Sequence, residues 1–298
     1  MPDPGSRGTG VIPSHPGSGP TVLRILLGSQ LRKLRETRGI SRDDAGYRIR
    51  ASGSKISRLE LGRVSFKERD VVDLLDLYGV TDQGERDQLI SLAREANSPA
   101  WWQKYSDVVP DWFQIYVGLE EAAALIRLYE VQFVPGLLQT EEYARAVVKQ
   151  GQPAAAADEV DRRVALRTRR QQLLSRPDPP RLWAVVDEGA LRRPMGGKAV
   201  MQAQIERLMA ATREPNVTLQ VVPFTFGGHA AEGGAFTVMR FPEADMSDIV
   251  YIEQLTGALY LDKREDVERY SEVMERLSVK GTSPDRTQDI LAAILKEL

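Results

Sequence analysis

Between Ser41 and Gly62 the chain reads SRDDAGYRIRASGSKISRLELG, and few folds accommodate that order of residues. Ser41 is followed three positions later by Asp44, so side-chain oxygens can satisfy the free N–H groups of a helix start. Ala45 and Ile49 would face inward from that helix, and Ser52 begins a second one, whose Ile56 and Leu59 share a face at i,i+3 spacing. Two helical segments joined by one tight turn define a helix-turn-helix. At about 100° per residue, the positions of the second helix turned furthest from its apolar stripe are Ser54, Arg58 and Leu61, flanked by Ser57 and Lys55.

An exposed helix bearing hydroxyls and cations has two uses. It can simply be solvated, or it can enter the major groove of B-DNA, where Arg donates to guanine O6 and N7 and Ser bonds to several bases. The surrounding charge favours the second. Eleven Lys/Arg against four Asp/Glu lie between Arg24 and Arg63, although the whole 298-residue chain has a net charge of −2. A basic module therefore stands beside an acidic remainder, and basic residues clustered on such a motif are a phosphate-binding footprint. Double-stranded DNA is the expected partner, with Arg58 the leading base reader, Arg42, Arg48, Lys55 and Arg63 on phosphates, and the amide end of the helix near Ser52 adding anion affinity.

Around the motif, Leu23, Leu27, Leu31 and Leu34 mark a helix from about Thr21 to Thr37, Val71, Leu74, Leu75 and Tyr78 a fourth, and the Asp82/Glu85 capping box opens a fifth. Five helices in this order resemble the Xre-type domain, the fold of small phage repressors. The resemblance makes Arg42 the first motif position and Gly53, Ser54 and Arg58 the usual base-reading positions. Three residues depart from its pattern. Ala45 and Gly46 are smaller than usual and would loosen packing, and Arg50 stands where glycine usually supplies a positive φ, at a cost of about 1 kcal/mol. Gly53 lacks a side chain that often reads a base, which shifts base reading onto Ser54, Ser57 and Arg58.

Residues 1–20 are expected to be a disordered tail, residues 21–97 the DNA-binding domain and residues 98–298 a second domain. The chain has no cysteine, which excludes disulfides, thiolate metal sites and a catalytic thiol. No apolar run approaches a membrane span and the first twenty residues lack the centre of a signal peptide, so a cytoplasmic, nucleoid-associated protein is expected.

The segment WWQKYSDVVPDWFQIY concentrates aromatic residues, which bury large areas wherever they land. Trp101, Trp102, Tyr105, Trp112 and Phe113 either fill a domain-junction core or offer a partner or effector surface. A helix from about Leu119 to Tyr129 is expected next, then a turn at Pro135–Gly136 and a helix capped by Thr140. The arginines of the helix from Glu159 to about Ser175 (Arg162, Arg163, Arg167, Arg169 and Arg170) read as a solvated basic face, or as one that pairs with an acidic surface or an anionic effector. RLWAVVDE, VTLQVVPF, AFTVMRF, DIVYIE and ALYL are strands, the last two a hairpin, followed by helices around Met274 and Ile294. Helices packed on a mainly antiparallel sheet give an α+β second domain behind the five-helix one.

The segments WWQKYSDVVPDWFQIYVGLE, YEVQFVPGLLQTEEYARAV, RLWAVVDEGALRRPMGG, NVTLQVVPF and DIVYIEQLTGALYL, in that order, resemble a large family of actinobacterial regulators. The resemblance implies antitoxin-like transcriptional regulators, often encoded beside a small partner protein, whose C-terminal domain has no assigned chemistry. A homodimer on two DNA half-sites is expected, with the C-terminal domain serving dimerisation, a small-molecule effector or the partner protein.

An enzyme is not expected. His15 lies in the tail, and His229, alone in GGHAAEGG, has no second His or Cys at metal-ligand spacing, so no metal site and no cofactor is expected. Those glycines do not open a helix after a strand and form no dinucleotide loop. Asp187, Glu188 and Glu253 could converge as paired carboxylates for acid/base work, or Asp187 and Glu188 could simply belong to a turn balanced by Arg192 and Arg193.

Overall fold

The computed structural model describes residues 19–243 and 246–298, so most of the expected tail, with His15, lies outside the described residues. The chain divides into two compact units, one ending at Trp101 and one beginning at Trp102.

The first unit is helical. It comprises α1 (Pro20–Thr37), α2 (Arg42–Arg48), α3 (Gly53–Glu60), α4 (Glu68–Leu77) and α5 (Gln83–Ala96). Polar caps start three of them. Ser41 Oγ accepts from Asp44 N at 3.1 Å, Ser52 Oγ from Lys55 N at 3.3 Å and Asp82 Oδ1 from Glu85 N at 2.7 Å, each cap being worth about 1 kcal/mol. Four helices end on one device, in which two amides fold back onto the last carbonyls around a residue with positive φ. That residue is Gly39, Gly62 or Gly79 after α1, α3 and α4, but Arg50 after α2, at φ 55°. Arg50 is the one non-glycine residue with positive φ among the described residues, which agrees with its expected place in the turn. Leu23, Leu27, Leu31, Ala45, Ile49, Ile56, Leu59, Val71, Leu74, Leu75, Tyr78 and Leu89 form one core.

Gly46 does not loosen that core. A Cβ there would stand 2.7 Å from the Ala51 carbonyl oxygen and 2.9 Å from the Ser52 carbonyl carbon. The chain returning from the turn touches the backbone of α2, so hydrogen is the largest substituent the site holds. Ala45 beside it is fully buried. The expectation of slack is therefore corrected: small residues allow close approach.

The second unit contains α6 (Asp111–Ala122), β1 (Leu125–Glu130), α7 (Glu141–Gly151), α8 (Ala157–Gln171), β2 (Arg181–Asp187), α9 (Glu188–Arg192) and α10 (Lys198–Ala211). There follow β3 (Val217–Val222), β4 (Phe236–Arg240), β5 (Ile249–Gln254), β6 (Gly257–Leu261), α11 (Arg264–Lys280) and α12 (Thr287–Glu297). The expected helix over Leu119–Tyr129 is corrected: α6 stops at Ala122 and LIRLYE is a strand. Its period-two burial decides the matter, because Ile126 and Leu128 face one side and Tyr129 the other.

The six strands lie in the order β3-β2-β1-β4-β5-β6. The β1–β2 and β2–β3 pairs are parallel; β1–β4, β4–β5 and β5–β6 are antiparallel. Connection length explains the mixture. Helices join β1 to β2 and β2 to β3, whereas β5 and β6 are joined by a tight hairpin. On one face Tyr129, Val185, Val222, Val238, Val250 and Ile252 pack with Met274 and Leu277 of α11. On the other, Tyr116 of α6 stacks on Tyr251, with ring centroids 4.3 Å apart.

Candidate nucleic-acid interface

Helix α3 is fixed at both ends by buried charge. Glu60, its last residue, accepts from Arg35 Nε at 2.5 Å and from Arg35 Nη2 at 3.1 Å, and both residues are buried. The Glu60 hydrogen bonds hold the Arg35 guanidinium above its ordinary pKa against the opposing cost of burial. Toward the other end, Lys55 Nζ reaches the buried Asp70 of α4 at 2.8 Å. Between these anchors Ile56 and Leu59 are 1% and 2% exposed, so the opposite face of the helix must point outward.

Ser54 and Arg58 are exposed on that outward face, with Ser57 half-buried beside them. Among the described residues neither Ser54 nor Arg58 has a side-chain hydrogen bond or ion pair, and exposed Arg63, just past the helix, has none either. The other expected phosphate contacts are engaged to differing degrees. Arg42 Nε donates to Glu60 Oε2 at 3.2 Å and Lys55 holds Asp70, so both help position α3. Arg48 is looser, 3.9 Å from Asp73 and from Asp76. Ser52 spends its hydroxyl on the cap.

Gly53 also has a local cause. The Asp43 carboxylate occupies the space a Cβ on residue 53 would need, so a larger residue there would have to push Asp43 aside. Two surface groups escaped the sequence reading. Arg50 is exposed and free of partners among the described residues, and Tyr47 of α2 is 88% exposed. The signal for Tyr47 was present, since it falls off the Ala45/Ile49 stripe.

In the aromatic segment, Trp102 and Tyr105 are buried, whereas Trp101, Trp112 and Phe113 are half-buried. In the second unit, Trp112, Phe113, Tyr116, Tyr251 and Tyr260 form a run of ring contacts closed by a hydrogen bond from Tyr260 Oη to the Trp112 carbonyl at 2.5 Å. The arginines of α8 are not one solvated face. Arg170 is buried and makes two 2.7 Å hydrogen bonds to Glu120, with Phe113 and Tyr116 rings beneath its guanidinium. Burial works against its charge, but Glu120 more than offsets this and raises the Arg170 pKa.

Asp187, Glu188 and Glu253, for which convergence and an ordinary turn were the two readings, each have a separate partner. Asp187 caps α9 by accepting from Gly189 N, and Glu188 pairs with Arg192 and accepts from Phe224 N. Glu253 instead accepts from Tyr251 Oη at 2.8 Å. His229 Nε2 lies 2.9 Å from Tyr129 Oη, and its Nδ1 accepts from Ala231 N. Among the described residues no group of three or more His, Cys, Asp or Glu is placed to hold a metal ion, and no helix is long and apolar enough to cross a membrane.

An outward recognition helix on a basic helical unit defines a DNA-binding regulator of the helix-turn-helix class, and a helix-turn-helix domain model matches residues 26–89. Over residues 113–293 the chain matches the domain of unknown function DUF5753, and it belongs to that family. No curated protein and no solved structure matches the chain.

Proposed function

We propose that this chain is a sequence-specific transcriptional regulator of double-stranded DNA that inserts α3 into the major groove. One observation carries the reading: Ser54 and Arg58 project, without partners among the described residues, from a helix whose opposite face is anchored by buried ion pairs. Arg58 is the base reader, Ser54 and Ser57 supply hydroxyls, and Arg63, Arg48 and Arg50 reach phosphates. Tyr47 adds a phenolic donor beside them. Arg42, Lys55 and Glu60 serve by holding the helix at its angle. The protein acts as a homodimer on two half-sites at the nucleoid, in the manner of Xre-type regulators. Selection of a binding sequence from random duplexes, followed by titration of wild type and Arg58→Ala, tests this. A loss of about 1–3 kcal/mol confined to one base position is expected; unchanged affinity sinks the assignment of Arg58.

The second unit is proposed to sense rather than to catalyse. One version, the antitoxin-like reading, has it bind a small protein encoded beside it. Leu255, fully exposed at the β5–β6 hairpin, and Leu259, 52% exposed on edge strand β6, favour that version. Co-expression with the adjacent gene product distinguishes it: co-purification with altered operator affinity is expected, and absence of a complex argues against it.

A further inference from the structure

The first turn of α3 meets a carboxylate that belongs to another helix. Asp43, in the first turn of α2, lies against Gly53, the first residue of α3. A Cβ built on Gly53 would stand 2.2 Å from Asp43 Oδ1 and 3.2 Å from its carboxyl carbon, so the acid fills the space that a side chain on residue 53 would take. Ser54 is the next residue along and Ser57 stands one turn beyond Gly53. The carboxylate is thus placed at the N-terminal end of the face that α3 turns outward.

Asp43 is exposed, and among the described residues its carboxylate has no hydrogen bond or ion pair. Its neighbours are committed elsewhere. Asp44 accepts from Ser41 Oγ at 2.7 Å, Arg42 donates to Glu60, and Ser52 caps α3. The amide end of α3 favours a nearby carboxylate, yet the same acid shuts that end to the phosphate it would otherwise attract. An open acid in a motif whose Arg50, Arg58 and Arg63 are open cations weakens any approach to the DNA backbone. Base edges resolve the conflict. In the major groove guanine offers N7 and O6, thymine O4, and adenine N7 beside its amino group; cytosine alone offers a donor, the N4 amino group, with no acceptor of its own. An ionised carboxylate only accepts, so it is drawn to cytosine and repelled by the acceptors of the other three bases.

We propose that Asp43 is a second base reader, accepting from the N4 amino group of a cytosine at an operator position distinct from the one Arg58 reads. The proposal rests on the reading of α3 as the major-groove helix, whose N-terminal end reaches base edges, and adds to it a specificity residue from α2. The two charges divide the work: Arg58 selects acceptors, and Asp43 selects the base that lacks them.

The test uses the full chain. Sequences are selected from random duplexes with wild type, Arg58→Ala and Asp43→Ala, and affinities are then titrated on the wild-type site and on an unrelated duplex. Asp43→Ala is expected to lose one cytosine preference and to bind the selected site about 5- to 150-fold more weakly. The same variant should bind the unrelated duplex more tightly, because a negative charge has gone. Replacing that cytosine by 2-pyrimidinone, which lacks the amino group, should weaken wild type by about fivefold or more beyond its effect on Asp43→Ala. Asp43→Asn, the same shape without the charge, should relax discrimination against adenine, to which an amide both donates and accepts. An unchanged preference in Asp43→Ala, a lost preference for any base other than cytosine, or equal effects of the analogue on both proteins overturns the assignment. So does a uniform loss on both duplexes with a lower Tm, which would make Asp43 a support for the start of α3. A wild type that selects no sequence removes the regulator reading and this proposal together, whereas a site that Arg58→Ala loses and Asp43→Ala retains removes the proposal alone.

Discussion

Arg58 on α3 and Arg170 on α8 are the same side chain used in opposite ways. Arg170 is buried, doubly hydrogen-bonded to Glu120 and laid over two aromatic rings. Arg58 is exposed and has no partner among the described residues. The difference tracks what each helix must do. A guanidinium closed by a carboxylate holds two elements together and is unavailable to anything else; one left open is available to a phosphate, a base or an effector. Within the first unit the same division separates Arg35, Arg42 and Lys55, which fix α3, from Arg58 and Arg63, which it presents. Arg167 stands between the extremes, half-buried and held by a long 3.5 Å hydrogen bond to Gln139.

The comparison breaks most visibly where a closed pair is opened. Glu120→Ala leaves Arg170 charged and buried without its partner, and a loss of about 3–5 kcal/mol in chemical denaturation is expected. A cost near zero would show that the pair is not structural. Gly46→Ala drives a methyl group into the Ala51 carbonyl, and a destabilisation of about 1–3 kcal/mol is expected from thermal unfolding.

Glu130→Gln tests the half-buried acid at the end of β1 through pH. Its folded pKa, about 8, lies above the ordinary carboxylate value, so the folded state holds the proton more tightly than the unfolded chain does. Stability is therefore full below the unfolded pKa and declines as pH rises toward and through 8, where Glu130 must ionise beside Glu253. The charges of Glu253 on β5 and Arg167 on α8 act on it, the first raising and the second lowering its pKa, and its own charge raises that of Tyr143 on α7. Glu130→Gln should raise Tm relative to wild type at pH 9 and change it little at pH 5; an equal shift at both would remove the titration from the explanation. The smallest effect is expected for Arg50→Gly, a gain of up to about 1 kcal/mol from relief of positive φ.

Much of the first unit was legible because its signals are local. Ser41, Ser52 and Asp82 cap the helices their spacing indicated, and Arg50 takes the left-handed turn conformation. What the sequence hid were contacts between segments. Nothing near Gly46 announces that the chain after the turn will lie against it, and nothing near Lys55 announces Asp70. In the second unit LIRLYE followed an apolar helix too closely to be separated from it by pattern alone. Missing β1 also hid Glu130, so Glu253 was matched with Asp187 and Glu188, which local capping and pairing already occupy. The arginines of α8 share one composition, and only the position of Glu120 distinguishes Arg170 from the rest.

The central claim is that open charge marks function and closed charge marks structure. It is tested most directly by measuring operator affinity and unfolding free energy together for Arg58→Ala and Lys55→Ala. Arg58→Ala is predicted to lose about 1–3 kcal/mol of DNA binding with stability unchanged to within about 0.5 kcal/mol, and Lys55→Ala to lose stability by leaving Asp70 buried and unpaired. Full operator affinity in Arg58→Ala, or unchanged stability in Lys55→Ala, would contradict it.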